Sequence, residues 1–177
     1  MEWINAPSKW IMGGNMITVT ADPGTDVWRQ PGAGGIRNNA HFYHHEVTGD
    51  FTAHLELEGD FRGQFDQAGI MVRADDACWL KCGIEFVDGR RCASVAITRE
   101  WSDWSLAPTG ETPSYNFSLE RHGGIFKVYY APFGEEPSLL RKAWLTDSAS
   151  LHCGIMIASP KGGGFEATFQ GFRIETE

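Results

Sequence analysis

WLKCGIEFVDGRRCASVAITR, residues 79–99, reads as two strands joined by a turn. Asp88-Gly89 is the strongest short hairpin signal, because a two-residue turn between twisted strands needs positive φ at both central positions. Residues 79–87 are therefore expected to pair antiparallel with 91–99. Side chains alternate across a strand, so Leu80, Cys82, Ile84 and Phe86 form one oily side. Trp79, Lys81, Gly83 and Glu85 form the other. A sheet with one wet face should carry ordinary solvated residues there. A Trp, a Lys, a Gly and a Glu in turn raise a different prospect, the floor of a binding site.

Outward from this hairpin, strand-like segments recur at 16–21, 41–47, 50–57, 66–73, 114–122, 125–131, 139–145, 151–159 and 165–174. The joints between them (TGD, GDFRGQ, RADDAC, RHGG, APFGEEP, SPKGGG) are rich in Gly, Pro and Asp, as turns are. No window holds a 3.6-residue apolar pattern; a short helical turn near ADDAC (74–78) is the most helix expected. Eleven strands without intervening helices predict an all-β fold, two antiparallel sheets packed face to face, in one domain spanning 1–177. Parity assigns the core to Phe51, Ala53, Leu55 and Leu57; Ala68, Ile70 and Val72; Leu80, Cys82, Ile84 and Phe86; and Val95 and Ile97. To these it adds Leu151, Cys153, Ile155 and Ile157, then Phe165, Ala167 and Phe169. The apolar phase slips after Gln170, which predicts a bulge at Gly171.

The 177 residues are 42% hydrophobic and 21% charged, with 21 glycines and a formal charge of −8. That balance disfavours a nucleic-acid backbone or an anionic membrane as partner. No run approaches the roughly 20 apolar residues of a membrane helix. The N-terminal MEWINAPSKW lacks the basic-then-apolar order of a secretion signal. Cys82 and Cys153 alternate with aliphatic neighbours, as small core residues do. Cys78 and Cys82 lie four apart in one strand, about 13 Å at 3.3 Å per residue, too far to share one zinc ion. His44 and His45, adjacent in a strand, cannot face one side. A cytoplasmic protein with reduced thiols, without metal or cofactor, is expected.

With the core assigned, two outward faces stand out. One strand presents Gln67, Gly69, Met71 and Arg73, its neighbour Trp79, Lys81, Gly83 and Glu85. A strand-interior glycine often marks close approach by a ligand or another backbone, and two of them side by side would hollow a trough. Nearby loops are expected to bring aromatic rings: Trp28 in TDVW, Tyr43 in HFYHHE, and Trp101 and Trp104 around Asp103 in REWSDWS. Ring faces stack on sugars while carboxylates, amides and cationic groups take the hydroxyls. Trp28, Tyr43, Gln67, Arg73, Lys81, Glu85, Trp101 and Trp104 are accordingly the candidate ligand-binding set. The bland alternatives are a solvated face and rings folded onto the sandwich edge.

The motifs TDVWR (25–29), HFY (41–43), GDFTA (49–53), FDQAGIMVR (65–73), WLKCGIEFVDG (79–89), SVAITREWSDWS (94–105), ASP (158–160) and GFEATF (164–169) run in order over nearly the whole chain. In these the sequence resembles an uncharacterised family of concanavalin A-like lectin/glucanase-fold proteins that includes the fungal "regulation of enolase" protein. The resemblance implies a jelly-roll sandwich with one concave sheet. It departs at IRNNAHFY, where a glycine near Ala40 would be expected. Related glucanases carry Glu-x-Asp-x-Glu on a concave strand; the matching strand here offers Glu85 alone.

Glycoside hydrolysis needs two flanking carboxyl groups. Asp66 has the wrong parity to join Glu85, and Asp103 or Glu46 are the remaining partners. Nucleophile-elbow, phosphate-loop and zinc-protease motifs are absent. The expected function is therefore binding of a small carbohydrate or sugar derivative on the concave sheet, an anionic one being tolerated by Arg73 and Lys81. The alternatives are a protein–protein module regulating a carbohydrate-metabolism enzyme, or a glycoside hydrolase in which Glu85 is the catalytic residue.

Overall fold

The structure is a computed structural model describing residues 1–176. Asp88 and Gly89 take φ values of 50° and 80°, the two positive angles that a primed hairpin turn demands. The hairpin follows in the expected register, with Val87 opposite Arg90, Gly83 opposite Ser94 and Trp79 opposite Thr98.

In chain order the strands are β1 (Glu2–Ile4), β2 (Lys9–Gly13), β3 (Met16–Thr20), β4 (Val27–Gln30), β5 (Gly35–Asn38), β6 (His41–Thr48), β7 (Phe51–Gly59) and β8 (Gln67–Asp75). They continue as β9 (Cys78–Val87), β10 (Arg90–Arg99), β11 (Trp101–Pro108), β12 (Tyr115–His122), β13 (Ile125–Pro132), β14 (Ser138–Trp144), β15 (Ser150–Ala158) and β16 (Glu166–Thr176). One seven-stranded antiparallel sheet runs β1-β6-β15-β8-β9-β10-β11, and a second runs β14-β13-β12-β7-β16-β3-β2. A separate two-stranded ribbon, β4-β5, completes the fold.

The two sheets pack on the apolar parities read from the sequence. Leu57, Ile70, Leu80, Ile84, Val95, Cys153 and Phe169 are all buried in one cluster with the aromatic rings of Tyr115, Phe117 and Phe126. Burial of each large side chain contributes about 1.5–3 kcal/mol, so this double layer carries the stability. Cys82 lies within it, and burial pushes its thiol up to about 12. The bulge forms where the phase slip predicts: the register of β16 against β7 shifts between Gln170 and Arg173. Gly171 there adopts a φ of 62°.

Two expectations need correction. ADDAC is not helical: Asp76-Ala77 makes a tight turn between β8 and β9, with the Ala77 N–H donating to the Asp75 carboxylate at 2.7 Å. REWSDWS is not a loop: its residues form the edge strand β11, reversed from β10 at Glu100, whose φ is 69°. Together with β1, β2, β4 and β5, this strand lies outside the eleven expected, because short edge strands lack a clean alternation.

The edges of the sandwich are closed by side chains. At one, Tyr43 of β6 meets Trp3 at 4.9 Å and Trp10 of the opposite sheet at 6.4 Å between ring centroids. At the other, Arg141 of β14 donates to Asp103 of β11 at 3.1 Å, and Arg99 stands over the Trp144 ring.

The outer face of the first sheet is covered where the ribbon crosses it. Val27 is buried there with Phe42, Met71, Trp79, Ala96 and Met156, and Trp28 packs against them. Trp79, expected on an open face, is therefore fully buried. The glycine trough also resolves differently. Gly69 lies directly opposite Gly83. A Cβ on Gly69 would sit 1.9 Å from the Cys82 carbonyl oxygen, and one on Gly83 1.9 Å from that of Ala68. These glycines admit a neighbouring backbone, and only about 10 Å³ of crevice lies over Gly83.

Gly83→Ala should therefore cost at least about 3 kcal/mol in urea unfolding, because strand backbones must separate. Gly163→Ala, with nothing within 4 Å of the new methyl, should change stability by no more than about 0.5 kcal/mol. Equal effects would refute this account of the pair.

His44 supplies a second prediction. Its ring is buried, stacked on Phe42 and set edge-on to His152, both at 4.7 Å. Neither ring nitrogen has a hydrogen-bond partner among the described residues. Burial, with the charges of His152, Arg73 and His45, pushes its pKa below 6.5, against the opposing pull of Glu2. A lowered histidine pKa gives stability that is full above the unfolded value of 6.5 and lost as pH falls through the folded one. Urea midpoints measured from pH 7.5 to 5 should fall, and His44→Phe should flatten that slope.

Candidate functional site

Between the ribbon and the open end of the first sheet lies a cavity of about 400 Å³. Asp26, Trp28 and Gln30 line it from the ribbon, Gln67, Lys81 and Glu85 from β8 and β9, and Trp104 from β11. Phe65, Arg37, Pro160 and Lys161 complete the walls. Five of the eight candidate residues meet here: Trp28, Gln67, Lys81, Glu85 and Trp104.

The other three lie elsewhere. Tyr43 closes the sandwich edge with Trp3 and Trp10. Arg73 pairs with Asp76 at the opposite end of β8. Trp101 has the parity opposite to Trp104 on β11, is 42% exposed, and lies beneath the guanidinium of Arg29. Neither Asp103 nor Glu46 enters the cavity; Asp103 is held by Arg141. The second carboxylate is Asp26. Its signal was present in TDVWRQ, where Asp26, Trp28 and Gln30 alternate and so share one side of a strand.

Lys81 sits at the bottom, buried. Its ammonium donates to the Val27 carbonyl at 2.9 Å and to Gln67 Oε1 at 2.5 Å. It also stands 5.5 Å from the Trp79 ring centroid and 5.9 Å from that of Trp28. Burial lowers its pKa, while Glu85 and Asp26 act to raise it. Asp26 shows the converse. Burial raises its carboxyl above the usual value, against the opposing effects of Lys81, the Val27 N–H, Arg37 and Lys161. The Gln67 amide spans the group, donating to Asp26 Oδ1 at 3.4 Å.

Glu85 is held from the other side. Its Oε2 accepts from the Ser94 hydroxyl at 2.6 Å and the Trp104 indole N–H at 3.0 Å. Among the described residues its Oε1 carries no hydrogen bond. Around this carboxylate the rings of Trp28, Trp104 and Phe65 stand edge to face, with centroids 6.1 and 6.2 Å apart.

The walls are tied together by one buried carboxylate. Asp66, of the wrong parity to face Glu85, turns instead toward the loop after β15. It accepts from the Gly63 N–H at 2.7 Å and the Ser159 hydroxyl at 2.6 Å. The Ser159 N–H donates to the Thr25 hydroxyl at 2.9 Å. Three separate wall segments are thus fixed to each other.

The protein is a two-sheet antiparallel β-sandwich bearing a cavity lined by rings, carboxylates and amides. Its fold is similar to that of the carbohydrate binding module CBM66 from Bacillus subtilis, with a TM-score of 0.64 at 15% identity over 98% of this chain and 95% of that one. The chain belongs to the family of proteins of unknown function DUF1349, whose profile matches residues 3–177. It is 33% identical over 173 residues to "Regulation of enolase protein 1" of Saccharomyces cerevisiae, covering 97% of this chain and 87% of the relative. A crystal structure of a functionally unknown protein from Saccharomyces cerevisiae superposes with a TM-score of 0.94 at 32% identity, covering 99% and 96% of the two chains.

Removing the ammonium while keeping the stem tests the electrostatics. Lys81→Met leaves the buried amide and the nearby carboxylates without their cation, and should cost about 3 kcal/mol in urea unfolding at pH 7. A variant as stable as the parent would show that the ammonium does not join ribbon to sheet.

Proposed function

We propose that this protein binds a small carbohydrate or sugar derivative in the cavity between the ribbon and the first sheet. The observation that carries this reading is Glu85. Its Oε2 accepts from Ser94 and Trp104, while among the described residues Oε1 carries no hydrogen bond, in a cavity also lined by the rings of Trp28, Phe65 and Trp104. A pyranose offers the complement, an apolar C–H face for a ring and equatorial hydroxyls that donate to a carboxylate. The likeness to a carbohydrate binding module supports the same reading.

A protein-binding role rests on a different surface. Strand β2 is a sheet edge, and on it Ile11 is 65% exposed beside the exposed Trp10 and Met12. Apolar edge strands recruit other chains. The name of the yeast relative is consistent with such a role, and Ile11→Lys would abolish it without touching the cavity. Hydrolysis would have to use Asp26 with Glu85, the two carboxylates that line the cavity.

Titration calorimetry over a panel of neutral and acidic mono- and oligosaccharides tests the binding reading. At least one sugar should bind. Glu85→Gln, which turns the acceptor into an amide, and Trp104→Ala should each weaken it by about tenfold or more, corresponding to about 1.4 kcal/mol. No heat with any sugar would overturn the proposal.

A further inference from the structure

The charges lining the cavity specify more than hydroxyl binding. On a molecule of net charge −8, this cavity carries three cations, Arg37, Lys81 and Lys161, against two carboxylates. Lys81 is already committed: its ammonium donates inward to Val27 and Gln67 and lies under the ribbon, buried. Arg73, the other cation expected to meet a ligand, is paired with Asp76 outside the cavity. Arg37 and Lys161 are different. They come from separate elements, β5 and the loop after β15, and both side chains are exposed. Neither forms an ion pair among the described residues; the recorded bond of the Arg37 guanidinium is a 3.4 Å contact to its neighbour Ile36. Both line the cavity, and both act on the Asp26 carboxyl.

The arrangement is therefore divided. Its inner part offers acceptors, Glu85 Oε1 and the Asp26 carboxyl, beside the rings of Trp28 and Trp104. Its mouth offers two uncommitted donors of positive charge. A neutral sugar would use only the inner part and leave both cations idle. An arginine and a lysine in this relation suit an oxyanion, the guanidinium giving a planar fork and the ammonium a mobile point charge.

Resting on the carbohydrate reading above, we infer that the ligand is a sugar bearing an anionic group, a sugar phosphate or a uronate, with its hydroxyls on Glu85 and its anion held between Arg37 and Lys161. The inner carboxylates are offset in part by Lys81, whose charge acts on both, and the cations lining the cavity outnumber them.

Calorimetry with hexoses, the corresponding hexose 6-phosphates and hexuronates, and inorganic phosphate alone decides the matter. The acidic form should bind at least about tenfold more tightly than its neutral parent, an advantage that fades as salt is raised. Which of the two acidic classes wins identifies the source of the anion. The double variant Arg37→Ala/Lys161→Ala should bring the acidic sugar down to the affinity of its neutral parent, whereas Glu85→Gln should weaken both. Equal affinity for neutral and acidic sugars overturns this inference and leaves the carbohydrate reading standing. Inorganic phosphate binding as tightly as the sugar phosphate overturns it too, since the hydroxyls would then contribute nothing. No binding of any sugar removes both.

Discussion

The buried ammonium of Lys81 joins the ribbon to the sheet. Taking such a charge out of water is expensive, and it is tolerated only where hydrogen bonds and opposite charges are supplied. Here the β4 carbonyl of Val27 and the side chain of Gln67 accept from it, two indole faces lie within 6 Å, and Asp26 and Glu85 supply negative charge. Without the ribbon, Lys81 would lose a partner and the apolar cluster around Trp79 would be exposed. Without Lys81, the ribbon would lose the buried hydrogen bond that its Val27 carbonyl accepts from the sheet. The cavity exists because these two requirements meet at one atom.

Much of the architecture was legible in the residues because its causes are local. Asp88-Gly89 dictates a turn, the turn dictates the register of β9 on β10, and alternation then places Leu80, Cys82 and Ile84 in the core. The slip at Gly171 was readable for the same reason. The site was legible only in part. Gln67, Lys81, Glu85 and Trp104 converge because each points outward near one end of the sheet, and Trp28 meets them from the ribbon that crosses it. Tyr43 and Trp101 are also outlying aromatics, yet parity turns them to the sandwich edge or the far side of an edge strand. Arg73 shares that face but sits six residues along β8 from Gln67, toward the other end of the strand. Such outcomes depend on which strands become neighbours, and a single strand's pattern does not encode its neighbours. The ribbon was missed because VWRQ and GIRN are short and lack an oily face of their own; VWRQ docks Val27 onto Met71, Trp79 and Met156, and GIRN pairs with VWRQ.

The two glycines opposite each other illustrate how one sequence feature supports two explanations. A glycine in a strand interior makes room, and the occupant can be a ligand or another chain segment. At Gly69 and Gly83 the occupant is the adjacent backbone, and the ligand-sized space opens instead beside Phe65 and Trp104. The cavity opens on the face read from the sequence as the candidate site, and its floor lies nearer the end of the sheet than its centre.

The knot formed by Asp66, Ser159 and Thr25 has a consequence for kinetics. It fixes the walls from three parts of the chain with buried, charge-assisted hydrogen bonds, so the cavity is shaped before any ligand arrives. A preformed site spends little of its interaction energy on ordering loops. On the proposed sugar-binding role, association would be governed by diffusion and by the shedding of water from the rings and Glu85, with no closing step to wait for. Discrimination between ligands must consequently appear in how long each one stays.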